Sequence, residues 1–90
     1  MNKTQKKKEI VKRFLTFVEN KFPQYDICDG DGGRIEFYPK GGKGDDSIEF
    51  HRSRLDLHVY SWGCDQSKLD VMEMECMLML IQQEVEAIEI

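Results

Sequence analysis

The spacing of the apolar residues changes twice along the chain, and this change most constrains the fold. Between residues 4 and 22 apolar residues recur every three or four positions, and the same spacing returns after residue 65. Between residues 25 and 60 apolar and polar residues alternate instead. The first spacing is typical of an amphipathic helix, and alternation is typical of a strand with one buried face. The sequence therefore predicts a helix, several strands and a second helix.

The chain has 90 residues, which is enough for one small hydrophobic core. We therefore expect one α+β domain spanning residues 1–90, with residues 1–5 as a frayed basic N-terminus. Strands are predicted at 25–27, 34–38, 47–51 and 54–60, each short and each with one apolar face. The predicted order is α-β-β-β-β-α, with an antiparallel meander sheet packed by the N- and C-terminal helices.

The predicted last helix begins near Asp65 or Ser67 and carries two apolar stripes on nearly opposite sides. One stripe consists of Val71, Met74, Leu78, Ile81, Val85 and Ile88, and the other of Leu69, Met72, Cys76, Met79 and Leu80. A sheet covers only one of them. The other stripe must therefore meet the first helix, a second chain or a partner.

Self-association through the last helix is our preferred account of these two stripes, as a two-fold homodimer. Stacking of the first helix over the last helix is the alternative. The predicted self-association residues are Met72, Met74, Leu78, Met79 and Ile81.

The glycine-rich segment DICDGDGGRIEF lies between the first two predicted strands. A calcium loop starting at Asp26 or Asp29 would need Glu at its twelfth position, which holds Phe37 or Lys40. No phosphate-binding glycine motif is matched either. The segment therefore predicts a turn in which glycine supplies positive φ, and we expect no metal and no cofactor.

A two-residue turn at Arg52-Ser53 would place Glu49 opposite Asp56, and the preceding strand would place Glu36 beside Glu49. The same turn would place His51 opposite Arg54 and Ser47 opposite His58. Three carboxylates would then form a row across the polar face of the sheet. Opposed like charges are unfavourable, so the row is either solvated or receives basic side chains of a partner.

The predicted partner-binding surface is this polar face with its neighbouring aromatic residues, which are enriched in interfaces. Its residues are Glu36, Tyr38, Glu49, His51, Asp56, His58, Tyr60 and Trp62. A small metal-binding or hydrolytic protein that uses the strand carboxylates is a second alternative. Because no nucleophile with an adjacent base is evident, we expect the protein not to be an enzyme.

Charge is distributed unevenly: residues 1–24 carry seven Lys/Arg and two Glu, whereas residues 65–90 carry one Lys and seven acids, within a net charge of −4. An acidic surface is suited to a basic partner. We therefore expect a non-catalytic module that binds a basic site on another protein. By analogy, small acidic inhibitors directed by viruses and mobile elements at nucleic-acid-handling host proteins share these properties.

Nucleic-acid binding by the basic first helix is the first alternative. The residues involved would be Lys6, Lys7, Lys8, Lys12 and Arg13. The order of the elements and the segment FPQYDI are similar to the double-stranded RNA-binding domain. However, the segment CDQSKLDVMEME has one lysine among acids where that family has a lysine cluster, so the likeness is confined to topology.

Three cysteines, Cys28, Cys64 and Cys76, share no disulfide-framework or zinc-ligand spacing. The N-terminus has no apolar core of a secretory signal, and no run of 18 apolar residues occurs. We expect a cytoplasmic protein without a membrane partner.

Overall fold

A computed structural model describes residues 1–41, 47–60 and 65–88 of the chain. The helices are α1 (Lys3–Lys21) and α2 (Asp65–Glu86). The strands are β1 (Tyr25–Asp29), β2 (Arg34–Pro39), β3 (Ser47–His51) and β4 (Asp56–Tyr60). They form one antiparallel sheet in the order β1-β2-β3-β4, so the predicted α-β-β-β-β-α fold is confirmed.

The helix α1 begins at Lys3 because Asn2 caps it. The Asn2 side chain accepts a hydrogen bond from the Gln5 backbone N–H at 2.9 Å, and the Gln5 side chain accepts one from the Asn2 backbone N–H at 3.0 Å. This reciprocal capping satisfies two backbone donors that a helix start otherwise leaves free. The basic N-terminal segment is therefore helical from its third residue onward.

The turn between β1 and β2 uses three residues, Asp31–Gly33, in which Gly32 and Gly33 have φ values of 68° and 78°. These angles lie in the left-handed region, where a side chain is strained and glycine is not. The predicted glycine-rich turn is confirmed.

The β2–β3 register is the predicted one, with Arg34 opposite His51 and Glu36 opposite Glu49. The predicted β3–β4 register is wrong by two residues, because His51 lies opposite Asp56 rather than Arg54. The connection is a four-residue turn that the Leu55 backbone N–H closes by donating to the His51 carbonyl oxygen at 2.8 Å.

Both helices pack against the same face of the sheet. The ring centre of Phe14 on α1 lies 4.7 Å from that of Phe50 and 6.4 Å from that of Phe37. The α2 stripe that runs from Val71 to Val85 completes the core. Burial of each such side chain contributes roughly 1.5–3 kcal/mol. We call the other face of the sheet the open face. Within the described residues, the core side chains of both helices lie on the opposite side of the sheet.

No helix within the described parts of the chain has the length and apolar content that crossing a membrane requires.

Candidate functional site

The second apolar stripe of α2 lies on the side of the helix that faces away from the core. We call this surface the outer stripe, and it consists of Leu69, Met72, Cys76, Met79 and Leu80, all of which are exposed. The exposed fractions are 59% for Leu69, 61% for Met72, 60% for Met79 and 51% for Leu80. The helix α1 therefore does not cover this stripe.

Glutamates border the outer stripe. Glu73, Glu75, Glu84 and Glu86 are exposed on α2. A carboxylate oxygen of Glu84 lies 3.9 Å from Arg13 Nη1, and one of Glu86 lies 3.9 Å from Lys6 Nζ. Within the described residues Glu73 and Glu75 form no ion pair. The outer stripe is thus an apolar surface with an acidic border.

The structure divides the predicted self-association residues between two sides of α2. Met74, Leu78 and Ile81 are buried in the core, with exposed fractions of 0%, 3% and 6%. Met72 and Met79 lie on the outer stripe. Only these two are available to another molecule without disrupting the core.

The predicted partner-binding residues lie on the open face of the sheet, as far as they are described. The strands place Glu36 and Tyr38 on β2, Glu49 and His51 on β3, and Asp56, His58 and Tyr60 on β4. Trp62 lies outside the described residues.

The predicted row of three carboxylates is wrong. Glu36 does lie beside Glu49, but the next residue across the sheet is His58, and Asp56 lies opposite His51. The four-residue turn causes this difference, because it moves β4 by two positions. A shift of two keeps every side chain on the same face, so the apolar pattern cannot distinguish the two registers.

Each carboxylate of the predicted row has a local partner. The Tyr38 hydroxyl donates to Glu36, and this hydrogen bond holds the pKa of Tyr38 above its ordinary value. Arg34 Nη1 lies 3.5 Å from Glu49 Oε1. Arg54 Nε lies 3.5 Å from Asp56 Oδ2. The open face is therefore less available to a basic partner than the predicted row suggested.

The predicted nucleic-acid residues also separate into two groups. Lys6 and Arg13 face the acids of α2, as described above, whereas Lys7, Lys8 and Lys12 line a groove of about 490 Å³. Arg52 completes the basic lining of this groove from the β3–β4 turn. The sequence pattern missed Arg52 because only the fold brings this turn beside α1.

Two further features could not be predicted from the sequence: the pairing of His51 with Asp56, and the orientation of the two apolar stripes of α2. The pairing of His51 with Asp56 follows from the unexpected turn. The outer stripe was visible in the 3,4 spacing of α2, but spacing alone did not show which of the two stripes faces the sheet.

No protein-family model matches the chain, and neither a curated protein nor a solved structure matches it significantly.

Proposed function

We propose that the protein is a non-catalytic protein-binding module, and that the outer stripe of α2 docks a basic amphipathic segment of another protein. The observation that supports this most is the exposure of four large apolar side chains in one row, each more than half exposed. Contiguous apolar surface of this kind on a small domain commonly marks an interaction site. Methionine side chains also adapt readily to a partner surface.

The acidic border favours a basic partner over a second copy of the chain. The exposed charged residues of α2 described above are four glutamates, and Lys68 is the one exposed base on this helix within the described residues. A homodimer through this helix would bring two acidic borders together, whereas a basic partner would neutralise them. A homodimer through α2 is the competing arrangement, and a measurement of the molecular mass in solution distinguishes it from a monomer that binds a basic partner.

We place this module in the cytoplasm because Cys28 and Cys76 are exposed free thiols, a state that reducing compartments maintain. By analogy, occupation of a basic surface on a nucleic-acid-handling protein would make the module an inhibitor of that protein.

The test uses a synthetic helical peptide with a leucine stripe bordered by lysines, labelled for fluorescence anisotropy. We expect binding to the wild-type protein and no binding of the twin peptide that carries glutamates in place of the lysines. The double variant Met72→Gln and Met79→Gln should weaken binding by about tenfold or more, because each buried methionine contributes roughly 1.5–3 kcal/mol.

Tyr60→Gln is the matched control. Tyr60 is 50% exposed like the two methionines, but it lies on the open face of the sheet. Its substitution should leave peptide binding unchanged. Equal binding of both peptides, or equal loss in the control, would contradict the proposal. A sedimentation mass near twice 10.6 kDa that the double methionine variant abolishes would instead assign the outer stripe to a homodimer.

Binding of nucleic acid is the second candidate, and the basic groove favours it. Lys7 Nζ donates to the Ser53 carbonyl oxygen at 2.6 Å, which holds α1 against the β3–β4 turn and gathers the basic side chains on one side. Lys8→Gln with Lys12→Gln should abolish binding of an RNA oligonucleotide at low salt if this candidate is correct. Absence of both RNA and DNA binding by the wild-type protein at low salt excludes it.

A further inference from the structure

The open face of the sheet brings four potential metal-binding side chains into one compact block. Glu49 and His51 project from β3, while Asp56 and His58 project from β4 on the same side. His51 lies directly opposite Asp56, and Glu49 directly opposite His58. The chain has two histidines in all, and both belong to this block.

The distances within the block suit one small cation. One ligand atom each from His51, Asp56 and His58 can be chosen so that all three lie within 4.8 Å of one another. Asp56 Oδ2 lies 3.7 Å from His58 Nε2. A tetrahedral ion with bonds of about 2.0–2.2 Å spaces its ligands by about 3.3–3.6 Å. The side chain of His58 is 47% exposed, so its rotation can close the remaining gap.

A second observation, independent of these distances, also points to a cation. Within the described residues, two buried side-chain oxygens have no hydrogen-bond partner, Glu49 Oε2 and Asp56 Oδ1. Both belong to the block. Glu49 is also nine-tenths buried, with an exposed fraction of 9%. Buried polar atoms are nearly always satisfied, so these two oxygens leave acceptor capacity inside the block that a bound cation with its oriented ligands would use.

We propose that His51, Asp56 and His58 form a binding site for a divalent transition-metal ion. Two imidazoles with one carboxylate favour Zn²⁺, Fe²⁺, Ni²⁺ or Cu²⁺ over Ca²⁺ and Mg²⁺, which prefer oxygen ligands. Glu49 Oε2 lies 3.5 Å from His51 Nε2, so it would orient the His51 ring by accepting the Nε2–H while His51 binds the ion through Nδ1. Arg54 beside Asp56 is 60% exposed and can leave the carboxylate when the ion enters.

This inference does not depend on the proposed function, because the site lies on the open face and the outer stripe lies on α2. Failure of either proposal leaves the other intact.

The first test is titration of the metal-free wild-type protein with Zn²⁺ under reducing conditions, followed by NMR of the histidine ring protons. Because the chain has two histidines, each ring signal is assignable and both report on the site. We expect both signals to shift together and to stop shifting at one equivalent of Zn²⁺. No shift at micromolar protein, or a shift of one ring alone, would overturn the proposal. This readout needs no variant.

The second test compares Zn²⁺ affinities by competition with a chelating dye. His58→Gln and Asp56→Asn should each lower the affinity by about tenfold or more, and Glu49→Gln by about 10–100-fold if it orients His51. The control is the variant with Cys28→Ser, Cys64→Ser and Cys76→Ser, which should bind Zn²⁺ as the wild type does. Circular dichroism checks that each variant is folded. Loss of binding in the cysteine variant, with retention in His58→Gln, would assign the ion to thiolates and overturn the proposal.

Discussion

At the scale of single residues, the contact between Tyr38 and Glu36 has a measurable electrostatic consequence. The two side chains are neighbours on the open side of β2, and the Tyr38 hydroxyl donates to the Glu36 carboxylate. The largest cause is the hydrogen bond, which favours the neutral phenol. The negative charge of Glu36 also disfavours the phenolate. The pKa of Tyr38 is therefore raised above its ordinary value.

Replacement of Glu36 by Gln should lower the pKa of Tyr38 towards the ordinary value of about 10. Because the folded-state pKa is raised, the contact stabilises the fold below the ordinary pKa of about 10. This stabilisation is lost as the pH rises through the folded-state pKa. Ultraviolet titration of phenolate absorbance measures the difference between wild type and variant. Tyr38→Phe identifies the contribution of this tyrosine, and coincident titration curves for wild type and Glu36→Gln would contradict the assignment.

Leu55 ends the four-residue turn between β3 and β4. Its φ value is 56°, which is uncommon for any residue other than glycine. Leucine gives no sequence signal for a left-handed conformation, so the pattern favoured the shorter turn at Arg52-Ser53. The true turn creates the pairing of His51 with Asp56 on which the metal proposal depends.

At the scale of elements, α2 is attached to the far edge of the sheet by a buried polar contact. The Tyr25 hydroxyl on β1 donates to Asp70 Oδ2 on α2 at 2.6 Å. Both residues are buried, with exposed fractions of 6% each. A buried carboxylate is costly unless it is hydrogen-bonded, so this contact helps to fix where α2 crosses the sheet.

Substitution Tyr25→Phe should lower the free energy of unfolding by about 1–3 kcal/mol, because it removes a hydrogen bond to a buried charged group. Urea unfolding followed by circular dichroism measures the change. Tyr60→Phe is the control, and its effect should stay within about 0.5 kcal/mol because Tyr60 is half exposed. Equal effects of the two substitutions would show that the contact does not stabilise the fold.

The elements and their order could be predicted because each has a strong local pattern. The predicted β2–β3 register, with Glu36 beside Glu49, is also confirmed. The pairing of Tyr25 with Asp70 could not be predicted, since 45 residues separate the two and no local pattern links them. The juxtaposition of His51 with Asp56 could not be predicted for a different reason, because registers that differ by two residues bury the same side chains.

At the scale of the whole molecule, the opposite charges of the two chain ends partly neutralise each other. Lys6 Nζ donates to the Glu86 carbonyl oxygen at 3.2 Å, and Arg13 lies near Glu84, so α1 neutralises the C-terminal part of α2. Glu73 and Glu75 lie further towards the start of α2. The acidic border is therefore strongest beside Met72 and Cys76.

Replacement of Glu73 and Glu75 by Gln should weaken binding of the lysine-bordered peptide and flatten its dependence on salt, because fewer charges remain to be screened. Anisotropy titrations from low to physiological salt measure the slope. Glu36→Gln, on the open face, should leave the slope unchanged. An unchanged slope in the Glu73→Gln, Glu75→Gln variant would remove the argument for a basic partner.

The binding surface on the whole molecule can be located by following the backbone amide NMR signals of the isotopically labelled protein while the lysine-bordered peptide is added. We expect the shifted amides to cluster on α2 around Leu69, Met72, Cys76 and Met79, and the amides of β2 and β3 to remain unchanged. Shifts centred on the open face of the sheet, or no shifts with the peptide in excess, would contradict the claim that the outer stripe is the binding surface.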